Sequence, residues 1–114
     1  MNEPRELAHE VKDNIFADLG LKDAPELLAK AQMLSAIIET IQKEKLTQVQ
    51  VAEKTGLDQP KISQLTRGKL SGFSTERLIR ILNSLGQDVQ IVIVSNPSTS
   101  TRVGKTQVVM QHGL

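Results

Sequence analysis

One short stretch of the chain, TQVQVAEKTGLDQPKISQLTRG, contains Gln48, Gln59 and Gln64, together with Gln50, whose side chain suits a helix cap. A glutamine amide carries both a donor and an acceptor, which complements the major-groove edge of adenine, and its NH₂ group can donate to a phosphate. Arg67 and Lys69 follow at the end of the stretch, where cations attract phosphates. These side chains are suited to one DNA-facing surface, provided that the local structure brings them together.

A short helix is predicted at the start of this stretch. Thr47 and Gln50 match a capping box, in which the hydroxyl accepts from the third amide and the glutamine side chain reaches back to the cap. The helix therefore begins at Gln48. It ends near Lys54, because Gly56 suits a left-handed turn position.

A second short helix follows the turn. Asp58 is a new N-cap and Pro60 is tolerated in the first turn, so this helix is predicted over residues 59–67. Small and apolar side chains on the two helices and in the turn form one set that could hold the pair at a steep angle: Val51, Ala52, Leu57, Ile62 and Leu65.

A longer helix is predicted ahead of the pair. Asp23 is a plausible N-cap and Pro25 lies in the first turn, so the helix should run from there to about Glu44. Leu28 and Ile37 widen its apolar face, which leaves room for a dimer contact. The main apolar stripe repeats at steps of three and four: Leu27, Ala31, Leu34, Ile38 and Ile41.

The chain changes character after Gly86. The run DVQIVIVS is β-branched and predicts a strand over Val89–Val94, and RVGKTQVVMQ predicts a weaker one after the linker NPSTST. A lone strand is unstable in water, so the first strand should pair with the later segment, with a second subunit, or with both. A homodimer is the simplest of these interpretations.

Composition limits the class of protein. The chain has 114 residues, enough for one small domain with tails, and no apolar run approaches the roughly 18 residues that span a bilayer. The N-terminus does not resemble a secretory signal and cysteine is absent, so we expect a cytoplasmic protein. Net charge is +1, but residues 1–46 carry −3 and residues 47–114 carry +4.

Catalytic and metal sites find little support in the sequence. The run Gly104–Thr106 matches the end of a phosphate-binding loop, but the leading glycine is replaced by Thr99 and no helix is predicted to follow. His9 and His112 lie at opposite ends, without the spacing of a metal site or a catalytic pair. We therefore expect no enzyme activity, no metal and no cofactor.

The central stretch resembles the Xre/phage-repressor family of DNA-binding domains. The shared features are Thr47-Gln48, Ala52, Gly56-Leu57, Gln59 and Gly68-Lys69. The resemblance implies a mainly α, phage-repressor-like helix-turn-helix bundle with a C-terminal β-strand or hairpin. It also implies that the next helix begins near Ser74-Thr75 and packs through apolar residues: Leu78, Ile81, Leu82 and Leu85.

Within this resemblance, the polar residues receive separate roles. Gln59 and Gln64 are predicted to read bases, with Lys61 beside them contacting guanine or phosphate, while Gln48 grips a phosphate and braces Gln59. Pro60 departs from the family pattern and offers only an apolar contact. The predicted DNA-binding residues are Gln48, Gln59, Lys61, Ser63, Gln64, Arg67 and Lys69.

A narrower resemblance covers Ala17–Val94, about two-thirds of the chain, and is to the HigA-type branch of Xre antitoxins. It is carried by DLG before the long helix, by QPKIS followed by RGKLSGFS, and by LNSLGQDV before the predicted strand. It implies an antitoxin that neutralises a RelE-like ribonuclease toxin and represses its own operon. A stand-alone Xre-type regulator, and a protein that has lost DNA binding, remain alternatives.

Three regions follow from these predictions: an acidic helical arm over residues 1–22, a helix-turn-helix domain over 23–86, and a C-terminal strand and tail over 87–114. Residues 1–28 carry seven acidic and three basic side chains. Because a ribonuclease must present a basic surface to RNA, this acidic region is the predicted toxin contact.

Overall fold

The computed structural model describes residues 24–95 and 103–112, and within them the chain forms four α-helices. These are α1 (Ala24–Lys43), α2 (Gln48–Thr55), α3 (Gln59–Thr66) and α4 (Thr75–Ser84), with a 3₁₀ turn at Leu70–Gly72 between α3 and α4. No helix in the described ranges combines the length and the apolar character needed to cross a membrane. The predicted mainly α architecture is confirmed. The acidic arm predicted over residues 1–22 lies outside the described residues.

The helix ends follow the local sequence signals. Thr47 Oγ1 accepts from the Gln50 amide at 3.1 Å, and Gln50 Oε1 accepts from the Thr47 amide at 2.9 Å, so the predicted capping box is formed. Gly56 ends α2 with φ at +75° and donates its N–H to the Ala52 carbonyl. Asp58 then caps α3, its side chain accepting from the Lys61 amide at 2.9 Å. Both helices of the predicted pair therefore begin where the sequence indicates.

The hydrophobic core is closed by packing of α1 against α4, the first and last of these helices. The predicted stripe of α1 is buried from Leu27 to Ile38, and Ile41 is half-buried. All four apolar residues predicted to pack from the last helix are buried: Leu78, Ile81, Leu82 and Leu85. Because α2 and α3 add Val51, Ile62 and Leu65 to the same core, their outer faces are left for contact with a ligand.

Phe73 is a central core residue that the periodicity of the sequence does not indicate. Its side chain is 1% exposed, and Leu70, at the start of the 3₁₀ turn, is equally buried. The Phe73 amide donates to the Leu70 carbonyl at 2.9 Å, which closes the turn. Since the turn is too short to show a period, its two buried side chains carry no pattern that sequence reasoning can use.

The C-terminal strands predicted from the sequence are not present among residues 87–95 and 103–112. Ile91, Val92, Ile93 and Val94 are instead all highly exposed, at 77%, 75%, 85% and 72%. The physical reason is that a strand requires a hydrogen-bonded neighbour, and residues 24–95 and 103–112 supply none. The later segment, which the sequence predicted as one possible pairing partner, lies against α1 instead, as residues 103–112 show.

Residues 103–112 contact the surface of α1. The Val108 amide donates to Gln32 Oε1 at 3.1 Å, and the Val108 side chain packs against the core. His112 Nε2 lies 4.0 Å from Glu39 Oε1 on the same helix. The C-terminal segment therefore rests on α1, one side of which it covers in part.

Candidate nucleic-acid interface

The helix α3 is anchored in the core by two buried side chains, and its other side chains are exposed or half-buried. Ile62 and Leu65 are 2% and 1% exposed, and they anchor the helix in the core. Gln59 at its first position is exposed, whereas Lys61, Ser63 and Gln64 are half-buried. Six of the seven predicted DNA-binding residues lie on α3 or in the turn directly after it, and Gln48 lies on α2.

A side-chain hydrogen bond joins the first residue of α2 to the first residue of α3. Gln59 Nε2 donates to Gln48 Oε1, with both side chains exposed. This bond leaves Gln59 Oε1 free to accept and Gln48 Nε2 free to donate. The structure thus brings together the two glutamines that the sequence predicted to brace one another, with unused donor and acceptor groups facing solvent.

Two cations mark the end of α3. Arg67 is the C-cap residue, and its Nε donates to the Ser63 carbonyl at 3.3 Å, so the exposed guanidinium is tied to the last turn. Gly68 follows with φ at +77°, a conformation that glycine adopts without strain, and turns the chain toward Lys69. Lys69 is exposed. Cations at this position can bind phosphates while the helix lies in a groove.

The 3₁₀ turn lies directly against the side chains of α3. A Cβ added at Gly72 would lie 3.4 Å from Lys61 Nζ and 3.8 Å from Gln64 Oε1. Lys61 Nζ also lies 5.4 Å from the centroid of the Phe73 ring, within the range of a cation–π contact. The Lys61 ammonium therefore lies close to the turn. The sequence predicted that it lies beside Gln59 and Gln64 and contacts guanine or phosphate, and this role stays a prediction.

Arg77 also contacts the Phe73 ring, although the sequence analysis did not select it as a functional residue. Its Cζ lies 5.3 Å from the same Phe73 centroid. Arg77 belongs to the first turn of α4, outside the motif, and no local pattern connects it with α3. Only the shared contact with the buried Phe73 ring connects Arg77 with Lys61.

The interface is positively charged overall. Between Gln59 and Arg77 the chain carries four cations and one carboxylate, Glu76, which pairs with Arg80, one turn further along α4, at 2.6 Å. In the ranges that the structure describes, no cluster of three or more His, Asp or Glu side chains could hold a metal ion. The chemistry available at this surface is hydrogen bonding by amides together with attraction of anions.

Comparison with known proteins points to the same kind of domain. Residues 15–94 match a family model described as a helix-turn-helix domain. Among solved structures, the chain is similar to a "Putative XRE Family Transcriptional Regulator", with 40% sequence identity and a TM-score of 0.71. The match covers 78% of this chain and 99% of the other. No curated protein shows significant sequence similarity to the chain.

Proposed function

Since the chain belongs to the XRE family of helix-turn-helix, DNA-binding transcriptional regulators, we propose that it binds an inverted-repeat operator as a homodimer and acts as an antitoxin. In this role it represses its own operon and neutralises a ribonuclease toxin of the RelE type. The observation that carries the DNA-binding step is the hydrogen bond between Gln48 and Gln59. It ties together two amides that would otherwise sample many rotamers, at the point where α2 and α3 both begin.

Base reading is assigned to Gln59 and Gln64. The hydrogen bond that Gln59 Nε2 donates to Gln48 orients the Gln59 amide, so that its free oxygen can accept from the N6 amino group of an adenine. Gln48 keeps a donor for a phosphate, which fixes the register of α3 on the duplex without selecting sequence. Ser63 is proposed to support these contacts, and Arg67 and Lys69 to bind phosphates at the helix exit.

Dimer formation is proposed through the exposed apolar run Ile91–Val94. Four consecutive apolar side chains, each more than two-thirds exposed, are unfavourable in water unless another surface covers them. A second copy of the run can supply the hydrogen-bonded neighbour that the described part of one chain does not provide. A two-fold dimer would place two α3 helices about 34–36 Å apart, which matches successive major grooves on one face of DNA.

The antitoxin role is supported by the resemblance of Ala17–Val94 to HigA-type antitoxins and by the acidic residues of the N-terminal arm. That arm lies outside the described residues, so its contact with a basic toxin surface stays a prediction. The second candidate is a stand-alone regulator, since the similar solved structure is named as a transcriptional regulator.

Expression of the neighbouring reading frame tests the antitoxin role. If that frame encodes a small basic protein, its induction alone should arrest growth, and co-expression of this chain should restore it. Purification of one protein should then recover the other in a complex. Growth that is unaffected by the neighbouring frame, together with operator binding by this chain alone, would favour the stand-alone regulator.

A further inference from the structure

We propose that Lys61 and Arg77, held on the buried ring of Phe73, form a second DNA-contact site that binds the phosphate backbone beside α3. Both cations lie within 5.4 Å of one ring centroid, although they come from different helices. This site presupposes the DNA binding proposed above and adds to it a residue, Arg77, that lies outside the helix-turn-helix pair. It also assigns Lys61 to phosphate rather than to a base.

The arrangement leaves the binding groups of both cations available. An aromatic ring attracts a cation through its face, so the contact uses none of the N–H donors of the guanidinium or the ammonium. Both side chains are half-buried, which reduces the number of rotamers that binding must freeze. None of the described carboxylates forms a salt bridge with either residue. Glu76, which precedes Arg77 in the chain, pairs with Arg80 instead. The charges are thus positioned but not neutralised within this part of the chain.

The position of Arg77 is not explained by the stability of its own helix. Arg77 is the third residue of α4, where the partial positive charge of the helix N-terminus makes a cation unfavourable. Its backbone amide is already satisfied by Ser74 Oγ at 3.1 Å. A basic residue that is locally unfavourable, yet is held by an aromatic ring beside a second cation, suits a role in binding an external anion.

The 3₁₀ turn borders this site. Gly72 lies beside Lys61 Nζ and Gln64 Oε1, and a Cβ added there would be in van der Waals contact with both. Lys61, which is proposed to bind phosphate, and Gln64, which is proposed to read a base, therefore both border Gly72.

The salt dependence of DNA binding tests the proposal. The full chain is titrated onto a fluorescein-labelled duplex of about 30 random base pairs, and the affinity is measured by anisotropy over a series of salt concentrations. For each protomer, Arg77→Gln and Lys61→Gln should each lower the slope of log K against log salt by about one. Affinity should fall by about tenfold, as expected for one charge-assisted hydrogen bond. Arg77→Lys should retain most of the slope.

Arg80→Gln is the matched control, because Arg80 lies one turn further along α4 and is paired with Glu76. It should leave the slope unchanged. If Arg77 only stabilised the fold, Arg77→Gln would lower the melting temperature and leave the slope intact, and this result would overturn the proposal. A wild-type protein that shows no salt-dependent DNA binding would overturn the proposed DNA binding as well, whereas wild-type binding with an unchanged Arg77→Gln slope would overturn the second site alone.

Discussion

Replacement of the two bonded glutamines, singly and together, measures how much of the sequence preference depends on their contact. Gln59→Ala removes the amide that we propose reads a base, and it should cost about 1–3 kcal/mol of binding free energy at the preferred site. Gln48→Ala leaves Gln59 in place but frees its amide to rotate. The net value of one such hydrogen bond is about 0.5–1.5 kcal/mol, so Gln48→Ala should cost at least that amount.

The double variant distinguishes bracing from independent contact. If part of the effect of Gln48 acts through Gln59, the loss of binding free energy in the double variant should be smaller than the sum of the two single losses. The expected difference is about 0.5–1.5 kcal/mol. The preferred duplex is first selected from a random library with the wild-type protein, and binding of all four proteins is then measured by anisotropy. Losses that add to within about 0.3–0.5 kcal/mol would show that the glutamines act separately. An unchanged sequence preference in Gln59→Ala would refute its assignment as a base reader.

Further predictions concern phosphate binding, assembly, stability and the toxin. Lys69→Ala should weaken binding to all duplexes alike and lower the salt slope by about one, and selectivity that changes instead would contradict a phosphate role. Ile91→Lys or Ile93→Lys, whichever faces the partner, should yield monomers, while a wild-type monomer at about tens of micromolar in sedimentation would refute the proposed dimer. Asp58→Ala should lower the free energy of unfolding by about 1 kcal/mol, or the melting temperature by about 4–8 °C, whereas Asp58→Asn should retain the cap. Equal losses of stability in the two variants, measured by calorimetry, would contradict the capping role. Deletion of residues 1–20 should preserve operator binding and abolish most toxin neutralisation, and a truncation that neutralises fully would place the toxin contact elsewhere.

Features set by neighbouring residues could be predicted from the sequence. The capping box of Thr47, the left-handed Gly56 and the Asp58 cap each depend on side chains within about one helical turn, and all three are found. The stripes of α1 and α4 follow from a period that local sequence displays. For the same reason the helix-turn-helix pair could be located to within about a residue.

Features that depend on distant contacts could not be predicted. Phe73 is buried because the 3₁₀ turn folds beneath α3, and Arg77 approaches Lys61 only through that ring. The strand prediction for Val89–Val94 was wrong for the single chain, because β-propensity describes a residue's fit to a sheet and does not supply the neighbouring strand. The roles of individual polar residues in DNA contact stay predictions, since residue type indicates what a side chain can bond but not which partner it meets.

The closure of the core by α1 and α4 has a consequence for how the recognition surface is made. α3 has eight residues, shorter than the roughly 12–15 that an isolated helix needs for marginal stability in water, so it exists only while the domain around it is folded. The contact between α1 and α4 joins segments far apart in the chain and must overcome loop-closure entropy before α3 is supported. Any opening of that contact, by heat or by a protease that captures the opened chain, removes the ability to read DNA at once. Operator occupancy therefore reports the folded fraction of the protein, and a synthetic peptide copied from α3 would not reproduce its specificity.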